Sequence, residues 1–200
     1  MTFLWQLAVM IAESQTNRNL EIGDTLYMVY FSNGQITIRN MEYGDAQIIT
    51  DAEIEQGWDA SIEKYLKRIE DQKLGKAISL VAEYSEKPVG YINIYPNNTC
   101  GAFGGKGYPE IVDFGVLEKY RNQGIGTILM DIAEEIAATY ADIVYLGVGL
   151  HSGYGSAQRM YVKRGYIPDG SGVWYQDKIC KPYEQCKNDD DLVLYLSKKL

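Results

Sequence analysis

The sequence predicts an α+β fold (α/β mixed), a central mixed sheet flanked by helices. Three observations predict it. The chain has 200 residues and is 46% hydrophobic, enough for one buried core. Apolar residues at 125, 128, 129, 132, 133, 136 and 137 step by three and four onto one helix face, between two β-rich runs. Further strand-like segments, bounded by turn-forming residues, stand on either side of that unit.

Residues 1–34 read as an N-terminal extension to a domain spanning 35–200. An apolar stretch at 3–12 is followed by a polar stretch at 13–21 and a strand-like run at 26–31. Asn33-Gly34 joins that run to residues 35–39. A two-residue turn with positive φ at both positions suits Asn-Gly, so a β-hairpin is the natural reading. Two accounts of the extension stay open: an extra strand added to the domain, or a start-site artefact with Met28 as the true first residue.

Helices follow at 45–53 and 61–71, the second with Ile62, Tyr65, Leu66 and Ile69 at helical spacing. Runs 79–84 and 89–95 make a hairpin around Ser85-Glu86-Lys87-Pro88, where proline pre-sets the backbone. The glycine-rich segment 101–107 is a loop. A strand at 110–116, the long helix at 123–140 and a strand at 143–150 form a βαβ unit, so the two strands run parallel. A short helix at 156–164, capped by the Ser156 hydroxyl, and a last antiparallel strand at 191–198 complete the order.

Composition excludes several classes. With 27 Asp and Glu against 19 Lys and Arg the net charge is -8, which argues against nucleic acid as a partner, because phosphate-backbone affinity needs clustered cations. The stretch at 3–12 is far shorter than the roughly 20 residues a membrane span requires. It has no Lys or Arg before it and no small-residue cleavage site after it, which argues against a secretory signal. Cys100, Cys180 and Cys186 are odd in number and lack paired CxxC spacing, arguing against a disulfide framework or a structural zinc, and no metal is expected. The expected location is the cytoplasm.

The most informative segment is Arg121-Asn122-Gln123-Gly124-Ile125-Gly126-Thr127. A turn here feeds a helix whose first N–H groups have no intrahelical acceptor, so they converge on one point suited to an anion. Glycines at 124 and 126 remove side chains that would hold a diphosphate away, and Arg121 adds positive charge at the rim. A dinucleotide fingerprint would need a third glycine where Leu129 stands, and a Walker loop fails because Gly105-Lys106 is followed by Gly107. Taken alone, the glycines also fit simple close packing of a helix on a strand.

Three motifs in order resemble the GCN5-related N-acetyltransferases, the GNAT family. Arg121, Gly124 and Gly126 match that family's (Gln/Arg)-x-x-Gly-x-(Gly/Ala) signature. Residues 110–116, Glu-Ile-Val-Asp-Phe-Gly-Val, look like its fourth strand. Ala157, Tyr161, Gly165 and Tyr166 match its A-x-x-x-Y-x-x-x-G-F segment. The resemblance covers roughly residues 36–200 and implies the GNAT acyl-CoA N-acyltransferase fold, acetyl-CoA as co-substrate, and transfer of an acetyl group to a primary amine by direct attack in a ternary complex.

The resemblance also implies roles. The amides of Arg121, Asn122, Gln123, Gly124, Ile125, Gly126 and Thr127 would hold the pyrophosphate. A bulge at Phe114, Gly115 and Val116 would free backbone groups for the pantetheine arm and the thioester carbonyl, and glycine at 115 suits a bulge. Tyr161 would protonate the departing thiolate. Glu110 is the candidate base, placed by strand register on the face of Phe114, with Asp113 on the opposite face. The family often has Asn where Tyr154 stands, so Tyr154 or Ser156 would take over that contact with the cofactor arm. His151 is read as structural.

The acceptor region falls on Glu42, Asp45, Asp51, Glu53, Glu55 and Asp59 and on Trp174, Tyr175 and Asp177. A carboxylate-rich, aromatic wall suits a cationic amine, either a small molecule or a peptide terminus. An ordinary solvated helix face is the competing account. Pairing of two copies, through the N-terminal hairpin or the last strand, is a further expectation carried by the resemblance. A sensor or partner module that binds acetyl-CoA without transferring anything is the alternative function.

Overall fold

The computed structural model describes residues 27–200. Residues 1–26, with the apolar stretch and most of the extension, lie outside the described residues. In chain order the strands are β1 (Val29–Ser32), β2 (Ile36–Asn40), β3 (Ile78–Tyr84), β4 (Lys87–Tyr95), β5 (Glu110–Val116), β6 (Ile143–Gly149), β7 (Ile167–Tyr175), β8 (Lys178–Ile179) and β9 (Leu192–Lys199). The helices are α1 (Tyr43–Glu55), α2 (Ile62–Lys73), α3 (Ile125–Ala138) and α4 (Gly155–Lys163). One nine-stranded sheet runs in the order β1-β2-β3-β4-β5-β6-β9-β7-β8.

Alternation along the strands sends side chains to two faces. Leu80, Ala82, Ile92 and Ile94 pack with Ile125, Leu129, Ile132, Ala133 and Ile136 of α3 in the larger core. Val81 and Tyr91 face the other way, onto Ala46 and Ile49 of α1 and Tyr65 and Ile69 of α2. The apolar stripe read from the sequence of α3 is thus the lid of the main core. A third, aromatic cluster of Phe103, Tyr145 and Tyr195 lies farther along the sheet.

Three local expectations are corrected. Asn33 does not form a two-residue turn with Gly34; Ser32 pairs with Thr37, only Gly34 has positive φ, and the Asn33 Oδ1 accepts from the N–H groups of Gln35 (3.1 Å) and Ile36 (2.8 Å). A polar side chain that can bond its own turn makes this wider loop available. In the next hairpin the turn is Ser85-Glu86, both at positive φ, and Pro88 lies in β4 opposite Glu83 beside a bulge, the kind of place where a sheet tolerates a residue without an N–H. Ser156 does not cap α4: Tyr154 is the N-cap residue, no side chain caps the helix, and Ser156 is exposed in its first turn.

The one parallel junction among the described residues stands beside the candidate site. β5 and β6 pair only at Glu110 with Tyr145 and Ile111 with Leu146. Beyond these, β5 follows β4 and β6 follows β9, so a wedge opens between them towards their C-terminal ends.

Candidate functional site

The start of α3 stands beside that wedge. A single turn of 3-10 helix at Glu118–Tyr120 leads into Asn122 at φ 61 and Gly124 at φ 82, which is the N-cap residue of α3 and offers no side-chain cap. The first helical bond runs from the Ile128 N–H to the Gly124 carbonyl at 3.0 Å. Among the described residues no acceptor takes the N–H groups of Ile125, Gly126 and Thr127. The Ile125 side chain is buried in the main core, which anchors this end and aims its donors outward.

The two glycines do different work. A Cβ on Gly124 would meet nothing within 4 Å, and it is the left-handed backbone that requires glycine there. A Cβ on Gly126 would sit 3.1 Å from the Phe114 ring, so this glycine lets α3 press against β5. Arg121 is exposed; its Nε donates to the Val116 carbonyl (3.2 Å) and its guanidinium lies 5.3 Å from the Trp58 ring centre. Gln123 donates to the Lys119 carbonyl at 3.3 Å, and Thr127 is exposed.

The bulge in β5 sits one step earlier than expected. Tyr91 pairs with Gly115 and Asn93 with Val112, so Asp113 and Phe114 together oppose Ile92. The positive φ is at Asp113 (49°), and Gly115 is small for another reason: a Cβ there would lie 2.7 Å from the Tyr91 ring. Two side chains hold the bulge. Arg68 of α2 pairs with the Asp113 carboxylate (2.5 Å) and also donates to the Tyr95 hydroxyl (2.6 Å). The buried Asn93 amide donates to the Val112 carbonyl at 3.3 Å, and its own carbonyl oxygen has no partner among the described residues.

The extra residue reverses the predicted faces. Phe114 lies against Gly126 on the α3 side, whereas Asp113 reaches Arg68 on the α2 side. Glu110 is on the α2 side too, accepting a short bond from Asn98 and one from the Tyr145 hydroxyl at 3.3 Å. A one-residue insertion shifts a period of two by one, so the register count that joined Glu110 to Phe114 fails at the bulge. Burial is the main cause that pushes the Glu110 carboxyl up to about 7; the bonds from Asn98 and Tyr145 oppose it, and the nearby Asp177 reinforces it.

Around Glu110 stands the aromatic cluster. The Phe103 and Tyr145 rings are 4.8 Å apart, and Trp174 meets Tyr195 edge-on at 5.4 Å while donating to the Ser171 hydroxyl. Trp174 thus belongs to the cluster around Glu110, and Asp177 lies close enough to Glu110 to raise its carboxyl. Tyr175 instead points to Asp189 at 3.5 Å. The acidic group on α1 is divided. Asp45 is buried on Arg39 (2.7 Å) and Glu53 is buried beneath the hydroxyls of Tyr65 (2.5 Å) and Tyr91 (2.6 Å), so both are structural; Glu42, Asp51, Glu55 and Asp59 are exposed.

Tyr161 is 6% exposed, packed in the main core with its ring 5.8 Å from that of Tyr166. Burial first, and the Tyr154 phenol second, raise its phenol well above the ordinary value, so it stays protonated at neutral pH. Tyr154 donates to Asp190 at 2.9 Å, and its ring covers Gly149 at the end of β6. His151 Nε2 shares Asp190 at 2.9 Å and its Nδ1 accepts from the Gly153 N–H. Ser156 makes no contact that ties it to this cluster.

Arg68, Asn93, Asn98 and Tyr145 were not singled out from the sequence. Tyr145 carried a signal, a tyrosine between Val144 and Leu146 that strand alternation turns away from the long helix. The others come from distant segments and carried none.

Comparison with known proteins gives consistent relatives. A model of the Acetyltransferase (GNAT) family matches residues 46–166. No curated protein sequence matches the chain. Among solved structures it is similar to RimL, a ribosomal L7/L12 alpha-N-protein acetyltransferase in apo form, with a TM-score of 0.63 at 11% identity, covering 90% of this chain and 99% of that one. It is similar to Ard1 from Thermoplasma volcanium (TM-score 0.60, 17% identity, 83% and 98% covered). It is likewise similar to yncA from Salmonella typhimurium, a putative acetyltransferase with its cofactor acetyl-CoA (TM-score 0.58, 15% identity, 83% and 94% covered). At these identities the likeness is one of fold.

Proposed function

The chain belongs to the GNAT acetyltransferase family, and we propose that it moves an acetyl group from acetyl-CoA to a primary amine by direct attack in a ternary complex. The observation that carries this reading is the uncapped start of α3 beside the wedge between β5 and β6. The site fits the co-substrate: free amides converge where Gly124 leaves open space, a position suited to a diphosphate. Acetyl-CoA, when bound, supplies an acyl group activated as a thioester.

The chain's own residues then have distinct tasks. The amides of residues 121–127 hold the diphosphate, with Arg121 contributing charge from the rim. The backbone of Phe114, Gly115 and Val116, on the strand that borders the wedge, binds the pantetheine arm and orients the acyl carbonyl, which makes attack effectively unimolecular. Glu110 takes the amine's proton; a carboxyl pushed up to about 7 is a base matched to neutral pH. Tyr161, kept protonated by burial, donates to the departing thiolate. Tyr154 lies at the wedge mouth as a further contact to the cofactor arm, while Ser156 is the weaker of the two candidates.

The acceptor we propose is a cationic amine, a small molecule or a peptide N-terminus, received among Trp174, Tyr195, Tyr145, Glu110 and Asp177. Calorimetry with acetyl-CoA, followed by thiol release with a panel of polyamines, aminoglycosides and peptides, tests the whole reading. Heat of binding with thiol release supports transfer. Binding without release across the panel would favour a sensor, and no binding at all would overturn both.

A further inference from the structure

Cys180 and Cys186 lie on the segment between β8 and β9, and their Sγ atoms are 3.0 Å apart. Their spacing in the sequence argues against a disulfide, yet the fold brings them together. The Cys180 N–H donates to the Val173 carbonyl at 2.8 Å, extending the β7–β8 hairpin. The chain then curls back: the Lys181 N–H donates to the Glu184 carboxylate (2.8 Å) and the Glu184 N–H to the Lys181 carbonyl (3.0 Å). Both thiols are partly accessible, so a small reagent can reach them.

The segment is strung between two parts of the site. Upstream, Ile179 pairs with Trp174 of the aromatic cluster. Downstream, Asp190 accepts from Tyr154 and pairs with His151 at the end of β6. A covalent closure between residues 180 and 186 removes slack from the stretch that brings Asp190 there.

We infer that Cys180 and Cys186 are a redox-modifiable thiol pair that closes into a disulfide within this loop by exchange with a low-molecular-weight disulfide, tightening the stretch that carries Asp190 to Tyr154 and His151. The Cys186 thiolate attacks one sulfur of the small disulfide, breaking its S–S bond and releasing one thiolate. The Cys180 sulfur, after giving up its proton, then attacks the Cys186 sulfur, forming the new S–S bond and releasing the second small thiolate. The two released thiolates take up the two protons; the cysteines lose two electrons and the small disulfide gains them. The hydrogen bond with Cys186, which is the largest cause holding the Cys180 thiol up at about 11, is consistent with Cys186 acting first. The inference stands apart from acetyl transfer.

The full chain is reduced, equilibrated in glutathione buffers of increasing oxidised fraction, quenched in acid, alkylated and digested with trypsin. Both cysteines fall in peptide 179–187, since Lys181 precedes Pro182. The expected product is that peptide lighter by two hydrogens, appearing at oxidised-to-reduced ratios roughly tenfold below those that modify the exposed Cys100. Cys180→Ser and Cys186→Ser should each leave only a mixed disulfide with glutathione. In the oxidised wild type, amide exchange across residues 187–191 should slow at least about threefold relative to the reduced protein, with no such change in Cys180→Ser. Two free thiols, or a glutathione on each cysteine, at ratios that already modify Cys100 would overturn the pair. A disulfide with unchanged exchange at 187–191 would overturn the tightening.

Discussion

The two halves of the proposed site are built from different material. On the α3 side the groups that matter are main-chain amides, set by Asn122 and Gly124 at the helix start and by the bulge at Asp113 and Phe114. On the α2 side they are side chains, Glu110 with Asn98 and Tyr145, and Trp174 with Tyr195, gathered from the 101–107 loop's flank and four strands. A backbone site depends on a few torsions and tolerates change elsewhere. A side-chain site depends on many segments arriving together, and it is the half in which substrate choice can vary.

Substitutions that separate the halves give graded expectations. Tyr161→Phe should lower kcat by roughly 100-fold or more while the Kd for acetyl-CoA stays within about twofold, because a proton donor acts in the transition state and not in binding. A parallel rise in Kd would mean that Tyr161 serves packing alone. Glu110→Gln should lower kcat by roughly 100-fold at pH 8 and remove the limb that rises through pH 7, where the carboxyl loses its proton. The same variant should melt higher than wild type at pH 8 and equally at pH 4. A carboxyl whose value rises from 4.5 to about 7 on folding costs stability as pH climbs through that window.

The backbone half should respond in binding. Gly124→Val places a β-branched residue at φ 82 and should weaken acetyl-CoA by roughly 30-fold, about 2 kcal/mol, with kcat less affected. Calorimetry and saturation kinetics on one preparation separate these. The smallest expected effect is the most specific. Arg68→Met should lower kcat/KM by about tenfold by releasing Asp113 from its left-handed conformation. In an Asp113→Gly background, where glycine adopts that conformation unaided, the same substitution should change little. Equal losses in both backgrounds would assign Arg68 to the acceptor and not to the bulge.

The same division explains what was legible in the sequence. The stripe from Ile125 to Ala137, the Gly124 and Gly126 positions and the parallel strands around them depend on contacts within one βαβ unit, so periodicity and glycine placement sufficed. The bulge was expected from the family resemblance, at Phe114–Val116, but its exact place did not announce itself, because Asp113, not Gly115, adopts the positive φ, and one extra residue moved Glu110 to the other face from Phe114. β7 was missed because Pro168, Gly170 and Gly172 interrupt its alternation, although the ladder to β9 resumes at Val173. Asp45 and Glu53 looked like a solvated acidic face, yet burial beside Arg39 and beneath Tyr65 and Tyr91 makes them internal ties. Pairings between residues far apart in sequence have no local signature.

β9, the latest strand in chain order, lies between β6 and β7 and bonds to both. During synthesis those two strands must therefore wait with bare edges until residue 199 has cleared the ribosome. The sheet beside the wedge cannot close before then, so the nascent protein should remain without its ligand, and open to chaperones, until β9 has emerged.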